Sequence, residues 1–139
     1  MRKLPILITL LVLFAAIPAA LAVSTTRTVT ITAASPTFSD CGEGHAWFYQ
    51  AQRYTADLSG SYTFGFDNVN SAHDPFVLVY PADAFDPGCY HDDVLGYTVS
   101  IPTDIPLEAG ADYLVISGVI GGEGEMGMFD LLITPPVEG

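Results

Sequence analysis

Two cysteines and three histidines are the first candidates for chemistry in this sequence of 139 residues. Two cysteines in an exported chain usually pair, so we predict a disulfide between Cys41 and Cys89. In the chain-entropy model the loop that it closes is worth roughly 4 kcal/mol. The spacings Cys41-x3-His45 and Cys89-x-His91 leave a second interpretation open, which is a tetrahedral zinc site with two sulfur and two nitrogen ligands. An oxidising compartment favours the disulfide, because zinc requires free thiolates.

Carboxylates crowd several segments that we predict to be loops. Calcium takes about six to eight oxygen ligands from such loops, and neighbouring carboxylates repel one another unless a cation lies between them. We therefore predict a candidate calcium site, with calcium as the one cofactor suggested by the sequence. Its ligands would be Asp67, Asp74, Asp92 and Asp93. The alternative is a solvated acidic rim, since aspartate is also common in turns.

The sequence contains no recognised catalytic signature. It lacks G-x-S-x-G, H-E-x-x-H, a P-loop and a dinucleotide-binding glycine pattern after a strand. The adjacent pairs His73-Asp74 and His91-Asp92 could contribute to a catalytic site, but neighbouring residues on a strand point to opposite faces. Both pairs fit polar loops better. We predict that the protein has no catalytic residues and is not an enzyme.

Tyrosine and tryptophan side chains offer another kind of site. Such rings either form a platform on which sugars stack or fill the core of the domain. On a regular strand Trp47 and Tyr49 would share one face, with Phe48 on the other. Core filling is favoured, because a small domain needs large apolar side chains inside. The rings concerned are Trp47, Tyr49, Tyr54, Tyr62, Tyr90 and Tyr97.

The N-terminal segment has the features of a signal peptide. Arg2 and Lys3 precede an apolar run over residues 4–17, and Ala20-Leu21-Ala22 is a small-residue cleavage site. We predict cleavage after residue 22. The mature protein would be secreted, either extracellular or periplasmic, and would have no stable membrane insertion.

The remaining residues, 23–139, are predicted to form one acidic domain. They keep Arg27 and Arg53 against all 16 acids, so loss of Arg2 and Lys3 changes the formal charge from −12 to −14. A surface without a basic patch repels phosphate groups, which disfavours nucleic acid as a partner. The length suffices for a single hydrophobic core.

Short alternating patterns predict strands along this region. From Thr25 onward, Val29, Ile31 and Ala33 alternate with threonines, which is typical of a strand with one buried face. Turn residues separate the patterns, and no helical periodicity is evident. The fold class predicted is all-β, a two-sheet antiparallel sandwich of jelly-roll-like form with about 7–9 strands. The other predicted strands are 45–55, 61–66, 75–80, 94–101, 112–119 and 127–134.

An ordered series of motifs runs through most of the domain. They are Trp47-Phe48-Tyr49 leading to Tyr54, Gly60-Ser61-Tyr62-Thr63-Phe64, the segment from Asp74-Pro75 to Tyr80, Phe85-Asp86-Pro87, Asp92-Asp93, the segment from Ile105-Pro106 to Gly118, and the segment from Gly127 to Thr134. This order resembles the bacterial pre-peptidase C-terminal domain, a β-sandwich related in architecture to CUB domains. The resemblance implies a module that assists secretion or attachment of exported proteins, and some members of the family bind calcium.

We therefore expect a secreted, non-catalytic binding or attachment module. Its partner would be a protein or a glycan at the cell surface. The alternative is a structural subunit of a filament or surface layer, a homo-oligomer that assembles through sheet edges. In that case the strand near Thr25 to Ala33 would be the natural donor.

Overall fold

A computed structural model describes residues 23–120 and 126–137 of the chain, so the predicted signal peptide lies outside the described residues. These residues form strands joined by turns. The strands are β1 (Thr25–Ile31), β2 (Thr37–Ser39), β3 (Ala46–Phe48), β4 (Gln50–Thr55), β5 (Gly60–Asn70), β6 (Asp74–Pro81), β7 (Gly96–Val99), β8 (Thr103–Leu107), β9 (Asp112–Ile120) and β10 (Gly127–Thr134). None of the described residues belongs to a helix that is long and apolar enough to cross a membrane.

Two four-stranded antiparallel sheets form the sandwich, as predicted. The first sheet has the order β1-β10-β5-β8, and the second has the order β4-β9-β6-β7. Their facing sides bury one continuous apolar core, in which Phe64 and Leu131 of the first sheet meet Val77 and Val115 of the second. Burial of apolar surface contributes about 25 cal/mol per Å², so this interface is the main source of stability.

The second sheet is also buried on its outer face, which points away from the first sheet. Alternate residues of a strand point to opposite faces, and Phe76, Leu78 and Ile116 point outward yet are buried. They are covered by an outer layer, which consists of the β2–β3 hairpin and the segment 82–95. The domain therefore has three layers, which are the two four-stranded sheets and the outer layer.

A glycine in β9 permits the close approach of this outer layer. A Cβ atom on Gly118 would lie 2.6 Å from the carbonyl oxygen of Phe48 and 2.7 Å from the ring of Phe76. Real Cβ atoms do not come so close to a backbone oxygen. The absence of a side chain at Gly118 is therefore what lets β3 cross the outer face beside Phe76.

The observed strands differ from the predicted ones at the less regular positions. The predicted strand 45–55 is divided at Tyr49, whose N–H donates instead to the carbonyl of Pro36 at 2.9 Å. The segment 94–101 keeps only β7, and β2 and β8 were not predicted. β2 has three residues, and β8 contains Pro106, which an edge strand tolerates because the missing N–H can face solvent.

Side chains close the edge of the sandwich that β1 and β4 form. The amide of Gln50 accepts from the N–H of Thr30 at 2.9 Å and donates to the carbonyl of Thr28 at 3.4 Å. Arg27 donates to the carbonyl of Arg53 at 2.6 Å. The predicted donor strand therefore exists as β1, but part of its free edge is already hydrogen-bonded. Assembly through that edge stays a prediction.

The contact at Gly118 leads to a stability prediction. We expect Gly118→Ala to lower the free energy of unfolding by about 1–3 kcal/mol, because the added methyl group must push β3 or Phe76 away. Denaturant unfolding followed by circular dichroism measures this effect. Gly65→Ala is the matched control, since Gly65 is also buried in a strand but an added Cβ would meet Pro102 only at an ordinary 3.7 Å. Equal effects of the two substitutions would contradict the close packing at Gly118.

Candidate ligand-binding site

A disulfide between Cys41 and Cys89 joins the two parts of the outer layer, as the sequence predicts. Backbone hydrogen bonds reinforce it, from Tyr90 N–H to the carbonyl of Ser39 at 3.2 Å and from Cys41 N–H to that of Gly88 at 3.1 Å. Because both sulfurs are in the disulfide, the alternative zinc site has lost its thiolate ligands. The segment 82–95 is thereby tied to the hairpin that lies beside it.

Phe38 of β2 is the centre of the aromatic packing in the outer layer. Its ring lies 5.5 Å from that of Trp47, 5.5 Å from that of Tyr90 and 5.6 Å from that of Phe76, measured between centroids. The contacts with Tyr90 and Phe76 are edge-to-face, which is the favoured arrangement for aromatic pairs. Phe38 thus connects the hairpin, the segment 82–95 and β6 in one cluster.

A pocket of about 170 Å³ lies where the outer layer ends and the outer face of β6 and β7 continues. Its lining is largely apolar, with six rings and only a few polar groups. The lining residues are Phe38, Trp47, Phe76, Val77, Leu78, Tyr90, His91, Val94, Tyr97, Thr98, Val99 and Ile120. We call this the outer pocket.

Two residues of β7 border the outer pocket. Tyr97 pairs with Leu78 and Val99 with Phe76, which places both on the outer face of the sheet. The side chain of Tyr97 is 65% exposed, although it is a large ring beside an apolar surface. The hairpin and segment 82–95 cover the central part of this face but leave Tyr97 uncovered, so it can meet a ligand.

Carboxylates lie near the Tyr90 side of the outer pocket. Burial raises the pKa of the Tyr90 phenol, and the nearby Asp40, Tyr97 and Glu43 raise this pKa further. One oxygen of Asp40 lies 3.3 Å from Nδ1 of His45, whereas Oδ1 is buried and has no hydrogen-bond partner among the described residues. Acidic side chains therefore lie on this side of the pocket.

The hydroxyl of Tyr80 holds the Tyr90 side of the outer pocket in place. It donates to the carbonyl of Tyr90 at 2.6 Å, and burial followed by the neighbouring Tyr90 raises the pKa of Tyr80 strongly. Since the Tyr80 side chain is fully buried beneath segment 82–95, this bond fixes the backbone of Tyr90 against β6.

The six aromatic residues singled out in the sequence have separate roles. Tyr62 is fully buried between the sheets, where its hydroxyl donates to the carbonyl of Leu58 at 2.8 Å. Tyr54 packs against the same core with Arg27 over its ring at 5.2 Å, and Tyr49 packs in the outer layer. The other three, Trp47, Tyr90 and Tyr97, line the outer pocket.

Sequence reasoning missed several other residues of the outer pocket, among them Phe38, Val94 and Ile120. Phe38 lies in a strand too short to give a pattern, and Val94, which begins a predicted strand, lies in the loop before β7. Alternation alone could have grouped Tyr97 with Val99, since they are two residues apart in one strand.

The four aspartates of the predicted calcium site lie on different elements. Asp67 is on β5, where Oδ1 accepts from the N–H of Asn68 at 2.8 Å. Asp74 begins β6. Asp92 and Asp93 lie in segment 82–95, which leads into β7, and the first residue of β7 pairs with Val79 near the other end of β6. Within residues 23–120 and 126–137, no group of three or more metal-ligating side chains is found. Calcium binding therefore stays a prediction.

Comparisons with known proteins add little to the description of the fold and of the outer pocket. No protein-family model matches the chain, and no curated protein matches it. Among solved structures, the native structure of a family 35 carbohydrate-binding module from Clostridium thermocellum is similar, with 16% sequence identity and a TM-score of 0.40. The match covers 81% of this chain and 92% of that one. The resemblance to the pre-peptidase C-terminal domain stays a prediction at the level of family, while the β-sandwich itself is established by the sheets described above.

Reduction of the disulfide is expected to loosen the outer layer more than the sandwich. We predict that Cys41→Ser with Cys89→Ser lowers the free energy of unfolding by at most about 4 kcal/mol. Trp47 is the only tryptophan of the chain, so its fluorescence reports on this layer, and the double variant should show a red-shifted emission. Amide exchange in β5 and β10 should quicken less than exchange in the β2–β3 hairpin. Equal loss of protection in all three layers would contradict a local role of the disulfide.

Alkaline pH is expected to destabilise the domain. Burial raises the pKa values of Tyr54, Tyr80 and Tyr90 in the folded state. The folded state therefore favours the neutral phenols, and their contribution is complete below the unfolded pKa of about 10. It is lost as the pH rises through the higher folded values. Denaturant unfolding at pH 8, 10 and 11 should show stability constant at first and falling afterwards; an increase above pH 10 would contradict the assignment.

Proposed function

We propose that the protein is a secreted, non-catalytic binding module whose ligand site is the outer pocket. The observation that carries this proposal is an aromatic-lined pocket beside the disulfide-linked outer layer, with Tyr97 65% exposed on β7. Concave, largely apolar sites with a few polar groups are typical of ligand binding. The disulfide supports an oxidising compartment, extracellular or periplasmic.

The lining of the outer pocket favours binding over catalysis. Its polar side chains include His91 and Thr98, and the hydroxyl of Thr98 donates to the carbonyl of Ile101 at 2.8 Å. That bond engages the proton that an activated nucleophile would have to release to a base. The remaining groups are rings and aliphatic side chains, which recognise a partner through shape and stacking.

The biological role that fits this site is attachment of an exported protein to a surface. A module of the pre-peptidase C-terminal type would present the outer pocket to a protein or glycan, while the sandwich provides a rigid support. The pocket lies on central strand β6, whose position in the sheet is held from both sides by β7 and β9. Such a site is preorganised, which reduces the ordering cost of binding.

Trp47 provides a direct test of the proposal. We expect a panel of short glycans and short peptides to contain ligands that change Trp47 fluorescence saturably. Tyr97→Ala should weaken the binding of such a ligand at least tenfold, because the exposed ring supplies contact area at the pocket. Val69→Ala is the control, since Val69 is an exposed apolar residue of β5 in the other sheet. Ligands that bind equally to wild type and Tyr97→Ala would place the site elsewhere.

A further inference from the structure

Strand β7 has one open edge beside the outer pocket. It pairs only with β6 within the described residues. The N–H of Ser100, the residue after β7, donates to the carbonyl of Pro75 at 2.9 Å. Because hydrogen-bonding direction alternates along an antiparallel pair, Thr98 also directs its backbone groups toward β6. The backbone groups of Tyr97 and Val99 consequently point to the open edge.

Within the part of the chain that the structure describes, three of these four edge groups are available to a further strand. The carbonyl of Val99 accepts from the N–H of Ile101 at 2.8 Å. The N–H and carbonyl of Tyr97 and the N–H of Val99 remain. Exposed apolar side chains accompany them, since Leu95, Tyr97 and Ile101 are 46%, 65% and 66% exposed. An extended segment that adds to a sheet edge needs free backbone groups, which give affinity, and a pocket for one of its side chains, which gives specificity. The β7 edge and the outer pocket provide both.

The β1 side of the sandwich gives a contrast within the same molecule. There Gln50 and Arg27 occupy backbone groups of β1 and β4, as described above. Natural sheets usually protect their edges with charges, prolines or covering side chains. In β7, Gly96-Tyr97-Thr98-Val99, none of the residues is charged or a proline.

The charges around the outer pocket select the kind of segment that would bind. Asp74 lies on the same face of β6 as Phe76, at one end of the pocket, and Asp92-Asp93 follows the lining residue His91. Asp40 and Glu43 lie near Tyr90. The lysine and arginine residues of the described part of the chain are Arg27 and Arg53, both on the opposite edge of the sandwich. A second copy of this chain, of formal charge −12, would be repelled.

We propose that the ligand is an extended, positively charged peptide segment of a partner protein, which adds as a strand to β7 and inserts an apolar side chain into the outer pocket. This inference rests on the proposed function. Basic residues on either side of the apolar one would lie near Asp74 at one end and the Asp92-Asp93 pair at the other. Opposite charges would also speed association at low salt.

Synthetic peptides test the proposal on the intact disulfide-linked protein. The first probe is Thr-Lys-Thr-Leu-Thr-Lys-Thr with blocked termini, and its partner carries glutamate in place of both lysines. Trp47 fluorescence measures the affinity. We expect saturable binding of the lysine peptide, at least tenfold weaker binding of the glutamate peptide, and weakening by added salt. Equal binding of the two peptides would overturn the inferred charge preference.

Backbone modification tests strand addition separately from charge. Two further peptides are N-methylated on alternate residues, one in each register, and one of them should lose at least tenfold in affinity because it cannot donate to β7. Hydrogen exchange at the Tyr97 amide should slow when the lysine peptide is bound. If both methylated peptides bind as well as the parent and Tyr97 stays unprotected, strand addition is wrong.

Variants of β7 give the complementary measurement. Val99→Pro removes an N–H that faces the open edge, and it should weaken the lysine peptide at least tenfold, whereas Val99→Ala retains that N–H and should weaken it less. If Val99→Pro does not fold, the methylated peptides still decide the question.

A glycan that alters Trp47 fluorescence while no peptide does so would overturn this inference and leave the proposed function intact. If no ligand alters it, both fail. Concentration-dependent dimerisation through β7 would identify a second copy as the occupant and overturn the inference.

Discussion

The two central strands of the second sheet, β6 and β9, are apolar on both faces. In β6 every residue from Pro75 to Tyr80 is buried, and in β9 both the inward Val115 and the outward Ile116 are buried. A sandwich of two sheets covers only one face of each, so an outward Phe76 or Leu78 would remain in water. Exposing such side chains costs about 1.5–3 kcal/mol each relative to burial. The outer layer follows from this constraint, and so does the site at its margin.

The outer layer covers this face with little regular structure. Its β2–β3 hairpin has only three residues in each strand, and an isolated hairpin is marginally stable in water. Packing around Phe38 and the bond between Cys41 and Cys89 compensate for that. Because the layer is short, it stops before the edge of the sheet, where Tyr97 and Val99 continue the apolar surface. The outer pocket thus lies where the outer layer stops covering the outer face of the second sheet.

Local patterns predicted the elements whose environment is regular. Alternation from Thr25 to Ile31 indicated β1, and the continuous apolar run from Phe76 to Tyr80 indicated a central strand, both of which the structure contains. The same kind of reasoning could not predict β8, because Pro106 removes a hydrogen-bond donor and only its position at the edge makes this harmless. Local patterns therefore reveal strands with a regular environment, whereas a strand such as β8 is recognisable only once its place at the edge, next to β5, is known.

The candidate site was predictable only in part. The pairing of Cys41 with Cys89 could be inferred from compartment and count, since the chain has no other cysteine. The distinction between Tyr62, which is in the core, and Tyr97, which is exposed, depends on where the outer layer ends, and no local pattern contains that information. The aspartates of the predicted calcium site show the same limit of local patterns, because closeness in sequence does not determine which strands and loops bring carboxylates together.

The side chain of Gln50 has a consequence for higher-order association. By accepting from Thr30 and donating to Thr28, its amide imitates one residue of a neighbouring strand, and Arg27 engages the backbone of β4 nearby. Gln50 thus occupies backbone groups of β1 in the first sheet, whereas Arg27 occupies the Arg53 carbonyl of β4 in the second. The second sheet therefore has an open edge at β7 and a partly occupied edge at β4. Head-to-tail growth into a cross-β fibril requires a free edge at both ends of a sheet. The side chains at the β1 and β4 edge disfavour such growth, whereas a single strand can still be added at β7.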